Sequence, residues 1–264
     1  FISVLATQDN TTVNFSNFGN GVTLINNAAT TNIQLNADES YVISASPYTN
    51  SNNAEGFIGV LVESDKPIDV NSGTLTGSNA NLDDGDYGQD VGIDQVAPVE
   101  RIGSEYIFVR GVGPDEIERP LIVAHEDNTE VYVNGLLYTT LANGGDFVSI
   151  EGSYYGVSYP ADGNEGPPVG QSSNMYVNTS NPVFAFQVIG GQRPGGSGGY
   201  SGIPNQGLFF VPPINCQTPK IVDNIPFINQ IGTESFSGVV TLITENGSTV
   251  RSEERRVGKE CRSR

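Results

Sequence analysis

Aspartates cluster in one glycine-rich segment of the sequence, where they could bind a cation. The candidate calcium ligands in this segment, residues 72–93, are Asp83, Asp84, Asp86 and Asp90. Calcium takes about six to eight oxygen ligands, which loop carboxylates can supply. The spacing departs from the EF-hand pattern, which requires D-x-[DN]-x-[DN]-G and a closing Glu. A solvated loop held open by like charges is therefore the favoured interpretation, and calcium binding is its alternative.

Aromatic side chains in predicted loops are the candidate contacts for a ligand. They are Tyr87, Tyr154, Tyr155 and Tyr200. A tyrosine face can stack on a sugar ring while its hydroxyl stays hydrated. The sequence contains no Trp, so the usual platform for sugar stacking is missing. These tyrosines suit a binding module better than a glycoside hydrolase.

Residues that would act as nucleophile or base give no enzyme signature. His125 is the only histidine, and a catalytic triad would need partners for it from elsewhere in the fold. Residues 195–199 match G-x-S-x-G, but a nucleophile elbow also needs a strand before it and a helix after it. Cys216 has no base nearby, and both a free thiol and a pairing with another cysteine stay open. We predict no catalysis and no cofactor apart from the calcium alternative.

A hydrolase acting on carbohydrate is the least favoured alternative. Glycoside hydrolysis needs two carboxylates that flank the scissile bond. Positions 1–250 contain 27 acidic residues, so many pairs are available and nothing in the sequence distinguishes one of them.

One motif occurs three times at nearly constant spacing. It reads LATQDNTTV, VAHEDNTEV and LITENGSTV, at residues 5–13, 123–131 and 242–250. Asp and Asn tolerate left-handed backbone and cap turns with their side chains. Asp9–Asn10 and Asp127–Asn128 are therefore predicted structural turns, each joining two strands as a β-hairpin. Lys66–Pro67 is the predicted turn of a second hairpin.

Short strands separated by polar turns are predicted throughout. Val, Ile, Thr, Tyr and Phe are well represented, and no window shows sustained helical periodicity. The fold class is therefore all-β, with tandem antiparallel β-sandwich-like repeats of about 118 residues, and a β-propeller-like arrangement is the alternative. The predicted divisions are a first repeat at 1–113, a second at 114–238 and the start of a truncated third at 239–250.

Charge changes abruptly at residue 250. Residues 251–264 carry 6 of the 12 basic residues and 3 of the 30 acidic ones, which leaves 6 basic and 27 acidic residues before them, a net charge of -21. This tail resembles the translation of a common sequencing adapter, so we interpret it as non-native. A charge of -21 argues against nucleic acid as a partner. No apolar run is long enough to insert into a membrane.

Four short motifs together resemble one known family. They are AT-x-DNTTV at 6–13, S-x-KP at 64–67, the pair Asp94–Gln95 before Pro98, and LFFVPP at 208–213. They resemble the N-terminal domain of the IgGFc-binding protein family in its bacterial surface-protein version, over residues 1–250. The resemblance implies a non-catalytic binding or adhesion module of a larger bacterial surface or secreted protein, located extracellularly or at the cell surface. Its ligand would be an unidentified extracellular protein or glycan. A structural spacer repeat is the alternative.

Overall fold

In the computed structural model, the described part of the chain is all-β. The described residues are 1–25, 31–46, 50–77, 90–111, 113, 115–156, 174–190, 207–214, 230–235 and 249. Contacts divide the chain into two compact units, Phe1–Thr218 and Pro219–Arg264. Among the described residues, no helix is long and apolar enough to span a membrane.

Sixteen strands form the described part of the chain. In chain order they are β1 Ile2–Ala6, β2 Thr11–Ser16, β3 Asn32–Leu35, β4 Ser40–Ile43, β5 Leu61–Ser64, β6 Ile68–Gly77, β7 Asp90–Gln95, β8 Gly103–Val109, β9 Leu121–Ala124, β10 Thr129–Val133, β11 Leu136–Leu141, β12 Phe147–Ser149, β13 Asn174–Ile189, β14 Gly207–Phe210, β15 Gln230–Ile231 and β16 Glu234–Ser235. Short 3-10 turns lie at Ser51–Asn53, Val99–Arg101 and Gly152–Tyr154.

Every described strand pair is antiparallel, which confirms the all-β prediction. The sheets follow the orders β4-β1-β6-β7, β3-β2-β5 and β11-β10-β13-β9-β12, and β8 and β14 also pair with β13. In the second unit, β15 pairs with β16. The repeat length of about 118 residues and the repeat boundaries stay predictions.

The Asp9–Asn10 turn does not join a hairpin, so that expectation was wrong. β1 pairs with β4 and β6, whereas β2 pairs with β3 and β5. Ala6 lies opposite Ile68, and Val13 lies opposite Ser64. β1 and β2 therefore form one bent ribbon against β5 and β6, with Asp9–Asn10 at the bend. The turn residues Asp9 and Asn10 predict the bend. They do not determine which strands, more than fifty residues away in the sequence, pair with β1 and β2.

The same correction applies to the predicted hairpin turns Lys66–Pro67 and Asp127–Asn128. Lys66–Pro67 lies between β5 and β6, which pair with different strands and not with each other. In the second repeat the matching strand is continuous: β13 pairs with β10 through its first half and with β9 through its second half. Asp127–Asn128 lies at this bend between β9 and β10.

We call these two bends the first corner (Asp9–Asn10, 36–39 and Lys66–Pro67) and the second corner (Asp127–Asn128, 143–146 and 181–182). Both are closed by an aspartate. The Asp9 carboxylate accepts a hydrogen bond from the Ala37 amide at 3.1 Å. The Asp127 carboxylate accepts one from the Gly144 amide at 2.8 Å.

A hydrophobic core lies beneath each corner, formed by alternate strand positions. β2 shows this alternation: Thr11, Val13 and Phe15 are buried, and the residues between them are half-exposed. The first core contains Ile2, Val4, Ala6, Val13, Phe15, Leu35 and Ile43. The second core contains Tyr106, Phe108, Ile122, Ala124, Val131, Val133, Leu141, Ile150, Tyr155, Met175, Val177, Val183, Ala185 and Val211.

Candidate functional site

An ion pair between the buried Arg110 and the partly exposed Asp115 anchors the segment between β8 and β9. Arg110 is 3% exposed. Its guanidinium donates hydrogen bonds to the Asp115 carboxylate and, at 3.0 Å, to the Gly113 carbonyl. It also lies 5.9 Å from the ring centre of Tyr155, within cation–π range. These contacts fix Arg110, Gly113 and Asp115 against the second core.

Glu118 holds the same segment from the other side. Its carboxylate is fully buried and accepts hydrogen bonds from the backbone N–H groups of Gly111, Gly113 and Gly190. Burial raises the pKa of Glu118, while the three N–H donors and the Arg110 charge act to lower it. A side chain on Gly113 would overlap the Gly190 carbonyl, so the carboxylate is enclosed by glycine backbone. Glu118 serves as a structural clamp.

Two adjoining cavities open above this buried cluster. One has a volume of about 190 Å³ and is lined by Asp115, Glu116, Arg119, Glu151, Gly152 and Ser153. The other has a volume of about 310 Å³ and is lined by Glu55, Arg119, Tyr138, Phe147, Val148, Ser149 and Glu151. Arg119 and Glu151 line both cavities. We call the combined space the Arg119 cleft.

Acceptor groups dominate the Arg119 cleft. Its lining contains four carboxylates and a single guanidinium. The Oε2 atom of Glu116 is buried and has no hydrogen-bond partner within the described part of the chain. A buried acceptor of this kind normally requires a donor. The cleft therefore suits a ligand group that donates hydrogen bonds, such as an ammonium, a guanidinium or a hydroxyl.

Tyr154 and Tyr138 form an aromatic wall beside the cleft. Their rings meet edge to face, with centres 5.2 Å apart at 89°. Tyr154 is 40% exposed, and its carbonyl accepts a hydrogen bond from the Asn134 amide at 2.9 Å. Burial raises the pKa of Tyr138, which also bonds to the Glu151 backbone. Tyr154 is therefore held in place and accessible to a ligand.

The sequence predicts Tyr155 as a loop residue that contacts a ligand, but its side chain is not accessible. It is 2% exposed and belongs to the second core. Burial, followed by the nearby Glu118 charge, raises its pKa. Its hydroxyl accepts a hydrogen bond from the Gln187 amide at 3.3 Å. Its ring packs inside the protein because the short 3-10 turn before it directs the chain inward.

The remaining predicted site residues fall mostly outside the described part of the chain. Those outside are Tyr87, Tyr200, Asp83, Asp84, Asp86 and Cys216. Asp90 begins β7. The described residues contain no group of three or more His, Cys, Asp or Glu side chains that could bind a metal. The calcium alternative stays a prediction.

Sequence reasoning missed the Arg119 cleft. One signal was available: Arg110 and Arg119 are 2 of the 6 basic residues in positions 1–250, and they enclose three acidic residues in RGVGPDEIER. Such a dense mixture of charges is unusual in a chain with so few basic residues. His125, in contrast, lies edge to face with Phe184, with ring centres 6.4 Å apart, beside the second corner.

The fold and cleft together define an acidic, antiparallel β-protein with a polar cleft. The family model of IgGFc binding protein matches residues 1–262. The chain therefore belongs to the IgGFc binding protein family, which confirms the resemblance of its motifs. No curated protein and no solved structure gives a significant match to the chain. The matched span includes most of residues 251–264, whose separation as a non-native tail stays a prediction.

Proposed function

We propose that this chain is a non-catalytic binding module of a larger extracellular or cell-surface protein of bacterial origin, and that it serves in adhesion. Membership of a family named for binding the Fc part of immunoglobulin G supports a protein ligand. The net charge of -21 over positions 1–250 supports an exposed surface that resists self-association. A glycan is the alternative ligand.

The Arg119 cleft is the proposed ligand contact, and the unsatisfied Oε2 atom of Glu116 is the observation that carries this assignment. A lysine or arginine side chain from a protein ligand would supply the missing donor. The carboxylates of Glu151 and Glu55 would add attraction, and the exposed face of Tyr154 would add apolar contact.

The geometry favours binding over hydrolysis. Burial raises the pKa of Glu118, and a raised pKa is what a general acid needs. However, Glu118 does not line the cleft, and its oxygens are occupied by backbone N–H groups. It is therefore a structural group in this proposal.

Binding can be tested with the full chain immobilised on a sensor surface. The ligands would be immunoglobulin G, its Fc fragment and a panel of extracellular proteins and glycans. The variants Glu116→Gln and Glu151→Gln should each weaken binding about tenfold or more, since a charge-assisted hydrogen bond contributes roughly 1.5–3 kcal/mol. Glu126→Gln is the matched control, because Glu126 is exposed, precedes the second corner and does not line the cleft.

Three results are informative. Loss of affinity in the cleft variants, with unchanged melting temperature, supports the cleft. Equal affinity in all variants would place the ligand site elsewhere. The absence of saturable binding to every ligand tested would count against a binding function and would favour a spacer.

A further inference from the structure

The sheet β3-β2-β5 ends at β5, whereas the matching sheet in the second repeat does not end there. The order β11-β10-β13 repeats β3-β2-β5, with β5 matching the first half of β13. There the sheet continues from β13 onto β8, a strand that lies in the predicted first repeat. Among the described strands, none pairs with the outer edge of β5.

The correspondence can be made residue by residue. Val13 lies opposite Ser64, and the residue 118 positions later, Val131, lies opposite Thr179. The two pairings match, so positions on β5 correspond to positions 115 residues later on β13. Val60 then corresponds to Met175, and Val62 corresponds to Val177.

The backbone of β5 is oriented to accept another strand. The Asp65 amide donates to the Thr12 carbonyl at 3.2 Å, which places position 65 in a hydrogen-bonded pair with β2. Successive residues of an antiparallel strand direct their N–H and C=O groups to opposite sides. Val62 and Ser64 therefore point their backbone groups to the outer edge. In the second repeat, Val177 likewise faces Tyr106 of β8.

The first core is also less completely covered than the second. β8 supplies two fully buried aromatic side chains to the second core, Tyr106 and Phe108. Among the described residues, nine partly buried apolar side chains pack against the first core, Val60 and Val62 among them, and two pack against the second. Met175 and Val177, which occupy the corresponding positions, are fully buried. A strand paired with the outer edge of β5 would bury Val60 and Val62 as β8 buries Met175 and Val177.

We propose that the outer edge of β5 is a docking site for one β-strand. This strand would be similar to β8 and would be supplied by another repeat of the same kind. Such a strand would run antiparallel to β5. Its counterpart of Phe108 would pack against Val60, and its counterpart of Tyr106 would pack against Val62. Since the Tyr106 hydroxyl donates to the Val183 carbonyl at 2.6 Å, the docked tyrosine would reach the Ile68 carbonyl. Strand addition of this kind recruits main-chain hydrogen bonds for affinity and side-chain pockets for specificity.

The probe is a synthetic peptide with the sequence of residues 98–111, PVERIGSEYIFVRG, labelled for fluorescence anisotropy and added to the full chain. We expect saturable binding. Hydrogen exchange should slow at the amides of Val62 and Ser64. The amides of Leu61 and Glu63 already face β2, so their exchange should change little. Exchange data locate the peptide on β5 and distinguish docking from displacement of the chain's own β8.

Two methylated peptides test the orientation without altering the protein. N-methylation at the Tyr106 position removes a donor that faces β5 and should weaken binding about tenfold or more. N-methylation at the Ile107 position is the matched control. The Ile214 amide donates to the neighbouring Glu105 carbonyl at 2.8 Å, so this side of β8 faces away from its partner strand. The control should keep its affinity within about twofold.

Several results would overturn the proposal. These are no saturable binding of the unmodified peptide, equal losses for the two methylated peptides, or slowed exchange confined to β13. Concentration-dependent dimers of the chain that protect Val62 and exclude the peptide would show that the edge serves pairing between copies instead.

Discussion

The ammonium of Lys66 donates a hydrogen bond to the backbone carbonyl of Asp9 at 2.5 Å, across the first corner. It also reaches the Asn10 carbonyl at 3.0 Å. At the second corner, the amide of Asn181 takes the matching place and donates to the Asp127 carbonyl at 3.3 Å. Two chemically different side chains thus close two bends of the same geometry.

Replacing Lys66 should loosen the first corner. Lys66→Met removes both donors and should lower the free energy of unfolding by about 1 kcal/mol, a value reduced for partial exposure. Lys66→Asn should recover part of this loss, because asparagine fills the position at the second corner. Urea denaturation of both variants measures the difference. Arg101→Met, an exposed cation outside the corners, is the control, and an equal loss there would contradict the assignment.

The two turn asparagines should tolerate glycine but not alanine. Asn10 and Asn128 each have φ of 55°, a left-handed conformation that costs a residue with a Cβ about 1–2 kcal/mol. Asn10→Ala and Asn128→Ala should each lower the melting temperature, whereas Asn10→Gly and Asn128→Gly should leave it nearly unchanged or raise it. Calorimetry distinguishes these outcomes. Equal effects of alanine and glycine would show that backbone strain is not the cause.

Glu118 should make stability depend on pH. Because burial raises the pKa of Glu118 above its ordinary 4.5, the folded chain binds this proton more tightly than the unfolded chain. The stabilising contribution is therefore complete below pH 4.5 and is lost as pH rises through the folded-state pKa. Urea denaturation at a series of pH values should show this decline in the free energy of unfolding.

Glu118→Gln tests that contribution directly. The variant should lose the pH-dependent component. It should also be less stable at neutral pH by about 1–3 kcal/mol, because an amide NH2 would face the Gly111 N–H. Glu126→Gln is the control at an exposed position. A variant whose pH profile parallels that of the original protein would assign the titration to another group.

The hydroxyl of Tyr106 should stabilise β13 where its register with β8 shifts, between Asn178 and Val183. It donates to the Val183 carbonyl at 2.6 Å and accepts from the Gly103 amide at 2.9 Å. Burial raises the pKa of Tyr106 to about 12, so the donor is retained at neutral pH. Tyr106→Phe should cost about 1–3 kcal/mol by leaving the buried Val183 carbonyl unpaired. Tyr176→Phe, at an exposed position, should cost much less in the same denaturation assay.

The sequence predicted strand faces and bends better than strand partners. The alternation in TTVNFS places Thr11, Val13 and Phe15 on one face, and the side-chain period of two is enough to predict it. The Asp9–Asn10 bend also follows from local chemistry. One of the two partners of β2, however, is β5, about fifty residues later. That choice depends on the packing of the whole sheet. The turn residues alone predicted a hairpin between β1 and β2 instead.

The candidate site was less predictable for a related reason. Tyr154 and Tyr155 are neighbours with the same residue type, yet one is 40% exposed and the other 2%. Their side chains diverge at the end of a three-residue 3-10 turn, whose position is set by tertiary contacts. Arg119 and Glu151 meet in the cleft from segments about thirty residues apart. Neither the different exposure of the two tyrosines nor the proximity of Arg119 and Glu151 produces a periodic pattern in the sequence.

The continuity of β13 has a mechanical consequence. A load applied along this 16-residue strand would be shared at once by the ladders with β8, β9, β10 and β14, which must slide together before any of them separates. In the first repeat the same span is interrupted between Ser64 and Ile68. The strands at the first corner should therefore separate at lower force than the ladders around β13.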